Sequence, residues 1–206
     1  MTQRFIQLFT VGLLLLLSTT AVLSQQRISS PVCPLENWVR PFEGFRIIGN
    51  LYGVGSYDLS VFLITTEDGH ILINTGLADS TQMIRSNIES LGFKLEDIKI
   101  LLTQQAHWDH TAALSEIKEI TGAEIWATVG DARVLEDGGF SDPHFGGRES
   151  FRSVDVDRII RDGEIIRLGD LELTVHHHPG HTEAVSYTHL RAHETSLHLV
   201  CRLLLE

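Results

Sequence analysis

Residues 98–110 read Ile98-Lys99-Ile100-Leu101-Leu102-Thr103-Gln104-Gln105-Ala106-His107-Trp108-Asp109-His110. The run 98–103 is almost continuously apolar, which is the text of a strand buried on both faces. The character then changes abruptly. Two imidazoles and a carboxylate fall within four positions, at His107, Asp109 and His110. They cannot all face inward as core packing, but one loop can turn all three toward a common point. In α/β folds, the loops at the carboxyl ends of strands are where sites form. Nitrogen and oxygen donors of this kind suit Zn²⁺, which takes them at about 2.0–2.2 Å. The pattern therefore reads as a metal site rather than a solvated polar loop.

Working outward, residues 45–54 and 59–66 read as strands separated by a Gly/Ser/Asp turn. Asp68-Gly69 is a hairpin signal, and the short apolar run 70–74 is stopped by Thr75-Gly76. Asp79 or Ser80 is placed to cap a helix whose Ile84, Ile88 and Leu91 share a face, with Gly92 closing it. After the metal-like segment a helix is expected over 112–120, with Leu114, Ile117 and Ile120 inward and Gly122 at its end. A strand follows at 123–128, then a short helix at 131–137 and a Gly-rich loop at 138–147. Residues 164–168 and 171–176 read as a hairpin turning at Gly169-Asp170. Antiparallel strands followed by strand–helix alternation predict a mixed α/β layered fold.

A second histidine group stands at His176-His177-His178-Pro179-Gly180-His181-Thr182. The Pro-Gly pair forces a turn, so His181 projects from a loop and is the candidate ligand. His176, His177 and His178 belong to a strand, where side chains alternate, and read as supporting or surface residues. His70 reads as merely polar and His144 as a weak candidate for lining a substrate groove.

The chain has 206 residues, 16 Lys+Arg against 27 Asp+Glu and a formal charge of −11. That balance argues against nucleic acid as a partner, since a phosphate-binding face needs a basic excess, and suits a small-molecule substrate. Cys33 and Cys201 are too few for a disulfide framework. Residues 1–24 read as a secretory signal peptide. Arg4 gives the positive start, 5–17 the apolar core, and Val22 and Ser24 the small residues before cleavage. The core falls short of the roughly 20 residues a membrane span needs. Export to a periplasm is expected, with no membrane attachment after cleavage and a monomeric product.

The motif loop, together with Asn37-Trp38, Pro41-Phe42, the run 45–55, Ile71-Leu72-Ile73-Asn74-Thr75-Gly76 and His178-Pro179-Gly180-His181-Thr182, resembles the metallo-β-lactamase superfamily. That family's signature is His-x-His-x-Asp-His followed by a distant Gly-His. Within it the text is most similar to exported class B β-lactamases of the third subclass, over residues 37–184. The resemblance implies an αββα sandwich of the α/β class, of which this chain would carry the N-terminal portion. It implies zinc, one ion or two, and opening of the β-lactam ring of antibiotics by attack of a metal-activated hydroxide. Gln105 stands where the usual pattern has its first His, as in a variant branch of the subclass. By resemblance, Gln105, His107 and His181 would line the first metal position. Asp109 and His110 would line the second, with a further His from the C-terminal half. Asp109 would also act catalytically, anchoring the metal and orienting the nucleophile. An amide oxygen is a weaker donor than imidazole, so the first position is expected to be the weaker one. Asn74 would orient Asp109 or His181, and Trp108, pointing away by alternation, would pack. Two other readings are another hydrolase on the same fold, such as a thioesterase or lactonase, and a non-catalytic metal-binding pseudoenzyme.

From Ser186 the text departs from the family pattern. Residues 186–206 resemble translated sequencing-adapter read-through, so a metallo-β-lactamase domain at 25–185 is expected to be incomplete and followed by a non-native tail. His189, His193 and His198 fall in that tail and are not candidate ligands. Such a product is expected to be poorly soluble and nearly inactive, whereas the intact gene product is expected to hydrolyse β-lactams.

Overall fold

The computed structural model describes residues 35–178 and the backbone of residues 186–191. His181, the leader 1–24, Cys33 and Cys201 lie outside the described residues. The elements run α1 (Leu35–Val39), β1 (Phe45–Ile48), β2 (Leu51–Gly53), β3 (Phe62–Thr66), β4 (Gly69–Ile73), α2 (Thr81–Ser90), β5 (Ile98–Leu102), α3 (Trp108–Thr111), α4 (Leu114–Thr121), β6 (Glu124–Ala127), α5 (Val129–Asp137), β7 (Arg158–Ile159), β8 (Ile165–Leu168), β9 (Leu171–His177) and β10 (Ser186–Arg191). Strands β1 to β7 lie in sequence order in one sheet, antiparallel as far as β4 and parallel from β4 to β7. Strands β10, β9 and β8 form a second, antiparallel sheet.

Alternation along the central strands builds two cores. Leu63, Leu72, Leu101 and Ile125 face a cluster that includes Ile84 and Ile88 of α2, Leu114 and Ile117 of α4, and Leu135 of α5. Ile64, Ile71, Ile73, Ile100, Leu102 and Trp126 face the opposite way, onto Ile166, Leu171, Leu173 and Val175 of the second sheet. All five residues of β4 are buried, as a strand covered on both faces requires. Helices, large sheet and small sheet thus stack as three layers, which are the first three of the expected αββα sandwich. No helix among the described residues is long and apolar enough to cross a membrane.

Several sequence expectations change. The run 45–54 is not one strand. Gly49 turns at φ +52°, and β1 pairs back on β2 as a hairpin. The cap of α2 is not a side-chain cap: a single 3₁₀ turn (Ala78–Ser80) leads into it, and the Ser80 hydroxyl accepts the Leu77 N–H instead. The helix expected over 112–120 is two, because α3 already begins at Trp108, and Ile120 faces solvent. His70, read as merely polar, is buried, edge-on to the Phe93 ring at 5.4 Å. Apart from these changes, residues 186–191 form β10 in continuous register with β9, Ser186 opposite His177 and Arg191 opposite Glu172.

Candidate metal centre

Three backbone devices shape the segment after β5. First, Asn74 at the end of β4 adopts φ +64°, a left-handed conformation that Asn tolerates better than most residues. Its buried side chain accepts the Gln104 N–H at 3.0 Å and donates to Gln104 Oε1 at 3.0 Å and to the Ser60 carbonyl at 3.3 Å. Asn74 therefore holds the turn out of β5. Its amide is engaged by Gln104 and Ser60; of the two groups it was expected to orient, Asp109 is not among its partners in the described residues, and His181 lies outside them. Second, the Thr103 hydroxyl donates to the Gln105 carbonyl at 2.6 Å. Third, the Ala106 N–H donates to Asp131 Oδ1 of α5 at 3.0 Å, while the Thr128 hydroxyl donates to Asp131 Oδ2 at 3.2 Å. Asp131 is 2% exposed. Burial pushes its carboxyl up to about 7, against the opposing pull of those two hydrogen bonds.

The short helix α3 is pinned to residues 75 and 76 by two backbone bonds, with the Thr75 hydroxyl donating to the His110 carbonyl as well, at 3.2 Å. The Thr75 N–H donates to the His110 carbonyl at 2.7 Å, and the Ala112 N–H to the Gly76 carbonyl at 3.1 Å. Gly76 sits at φ +68°, and a Cβ there would lie 2.8 Å from the Ser80 hydroxyl, so this approach of β4 to α3 requires glycine.

On this frame Gln105, Asp109 and His110 converge. The Gln105 amide nitrogen lies 2.6 Å from His110 Nε2, and Asp109 Oδ2 lies 3.6 Å from the same nitrogen. Both His110 and Asp109 are about four-fifths buried, with side-chain exposures of 22% and 19%. His107, immediately before α3, is more deeply buried. Its Nε2 lies 3.4 Å from Asp142 Oδ2, and its ring is edge-on to Phe145 at 5.0 Å and 5.8 Å from His144. Asp142 is a site residue that the sequence reading missed. It lies in the Gly-rich loop, where no periodicity marks an inward position, and only the neighbouring His144 drew notice. Trp108 does pack, against Trp38 at 5.6 Å, but as a helical residue and not by strand alternation.

Among the described residues no three His, Cys, Asp or Glu side chains gather as a metal-holding group. The gathered trio contains one amide, Gln105. Its chemistry nevertheless fits Zn²⁺. A half-turn of the Gln105 amide sets its carbonyl oxygen beside the His110 ring nitrogen, and the Asp109 carboxylate supplies the negative charge that zinc sites favour.

A family model described as the metallo-beta-lactamase superfamily matches residues 57–191. The fold is similar to the class B3 di-zinc metallo-beta-lactamase LRA-12 from an Alaskan soil metagenome, at 50% identity and a TM-score of 0.75, covering 78% of this chain and 61% of that one. It is similar also to the metallo-beta-lactamase GOB-18 from Elizabethkingia meningoseptica, at 44% identity and a TM-score of 0.76, covering 79% and 60%. A hydroxyacylglutathione hydrolase of Rhodospirillum rubrum is 33% identical over 94 residues, 46% of this chain and 28% of that protein. The chain thus spans about three-fifths of the length of the similar solved structures and under a third of that curated relative.

Proposed function

Because the chain belongs to the metallo-beta-lactamase superfamily, we propose that it is a zinc hydrolase that opens the β-lactam ring. The observation that carries this reading is the convergence of Gln105, Asp109 and His110 at the end of β5, in a chain half identical to a class B3 enzyme. Gln105, His107 and His181 would hold one zinc position, and Asp109 and His110 the other. Zinc, when bound, acts as a Lewis acid that makes water available as a nucleophile near neutral pH. The chain's own residues do the rest. Asp109, which α3 fixes beside His110, would hold zinc and orient the attacking water. His107, walled by Phe145 and His144, shields the inner side from bulk solvent. Residues 1–24 act as a cleaved leader that delivers a monomeric enzyme to the periplasm, where a small anionic antibiotic would meet it.

Similarity to a hydroxyacylglutathione hydrolase favours a second reading, hydrolysis of a glutathione thioester. Turnover of zinc-loaded protein on nitrocefin and a β-lactam panel, set against a hydroxyacylglutathione, separates the two. For the full-length gene product hydrolysis of the β-lactams is expected, and exclusive turnover of the thioester would reverse the assignment.

In a full-length form, Gln105→His should raise the zinc bound per chain, since an imidazole replaces a neutral amide donor. Metal analysis of the two proteins side by side reads this directly, and equal occupancy would contradict it.

A further inference from the structure

Asp142 makes two kinds of contact. Its Oδ1 accepts the His144 N–H at 2.8 Å and the Phe145 N–H at 3.4 Å, and its own carbonyl accepts the Gly146 N–H at 2.8 Å. Those bonds form a closed turn within the Gly-rich loop 138–147 and fix the carboxylate's orientation. They engage only one carboxylate oxygen. The other, Oδ2, faces His107 Nε2 at 3.4 Å, with both side chains about 95% buried. A loop turn alone does not need a buried carboxylate aimed at an imidazole, because burying that charge is costly unless it is paired. An Asn would close the same turn without the charge.

We propose that Asp142 is a positioning residue for the metal centre, fixing the tautomer and orientation of His107 and coupling the Gly-rich loop to that ligand. A carboxylate partner on one ring nitrogen holds the proton there and leaves the other nitrogen as the donor. Here the proton sits on Nε2, toward Asp142, and Nδ1 is left for the metal. Phe145 and His144 are carried by the same turn that carries Asp142, so the wall around His107 and the orientation of His107 are set together. The inference rests on the reading of His107 as a zinc ligand.

Zinc affinity is to be measured by competition with a chromophoric chelator for the parent, Asp142→Asn and His107→Ala. The metal-free melting temperature and the visible spectrum of the Co²⁺-substituted forms accompany it. Asp142→Asn keeps the turn's acceptor and should melt like the parent, yet bind zinc roughly 10–100-fold more weakly, with an altered Co²⁺ spectrum. Zinc affinity within twofold of the parent and an unchanged spectrum would overturn the proposal. His107→Ala separates the two levels. If it keeps full zinc affinity, the ligand reading itself fails. If it loses zinc while Asp142→Asn does not, only the role of Asp142 fails. A measurement on the unaltered zinc-free protein removes dependence on any variant's folding. In ¹⁵N histidine spectra His107 should be protonated at Nε2, and protonation at Nδ1 would refute the proposal.

Discussion

In the full-length protein, Asp109→Ala is expected to lower β-lactam turnover by roughly a thousandfold or more and to reduce the zinc retained per chain. The magnitude follows from what the carboxylate does. A metal-centred site supplies several kcal/mol of transition-state stabilisation, and about 4 kcal/mol corresponds to three powers of ten in rate. Asp109 lies in the first turn of α3, about four-fifths buried and 3.6 Å from His110 Nε2. Removing it takes away both the charge that balances a divalent ion and the group that aims the nucleophile. The variant should fold normally. Alanine is the best helix former, and α3 is fixed by backbone bonds to Thr75 and Gly76 that no side chain at 109 contributes to. Steady-state kcat/KM for nitrocefin, zinc per chain and far-UV circular dichroism together check this. Activity within tenfold of the parent, with native dichroism, would remove Asp109 from the machinery.

The second large effect concerns stability. The Asp131 carboxyl has an ordinary value of 3.8 and is pushed up to about 7 by burial. Between those values the folded chain holds a proton that the unfolded chain has released, so stability falls as pH rises. The contribution is fully present below about pH 3.8 and is lost as pH climbs through about 7. At 1.36 kcal/mol per unit the loss amounts to about 4 kcal/mol. Asp131→Asn keeps the size and the acceptor for the Ala106 N–H but does not titrate. It should match the parent near pH 4 and exceed it progressively up to neutral pH. Urea unfolding of both metal-free proteins across that range measures the difference, and parallel pH profiles would contradict it. Because Asp131 grips Ala106, between Gln105 and His107, the same group ties α5 to the loop that carries the donors.

The layered fold was legible wherever a local signal matched the tertiary outcome. The apolar run at β5, the Asp68-Gly69 turn before β4, the spacing of Ile84 and Ile88, and the Gly169-Asp170 hairpin all have short-range causes. Where the outcome depends on distant partners, the text misled. Gly49 looked like one residue of a long strand, yet its left-handed backbone folds β1 onto β2. Ile120 matched the helical period, but the sheet beneath α4 is already covered by Leu114 and Ile117. His70 carries a polar ring that only the fold sets against Phe93. The site divides the same way. Gln105, Asp109 and His110 could be read together because they are nearly contiguous, so their convergence follows from one loop. Asp142 and Asp131 reach the same segment from 25 to 35 positions away in the chain, and nothing in the spacing of the sequence announces them.

The pinning of α3 to residues 75 and 76 has an evolutionary side. Two of those links run from amide to carbonyl, groups that every residue other than proline possesses, and the Thr75 hydroxyl adds a third. Substitutions can accumulate along the outer face of α3 and on the neighbouring loops without moving the donors, provided Gly76 is kept. A lineage on such a frame is free to vary the walls of its active site, and so the substrates it accepts, while the inherited position of Asp109 and His110 stays put.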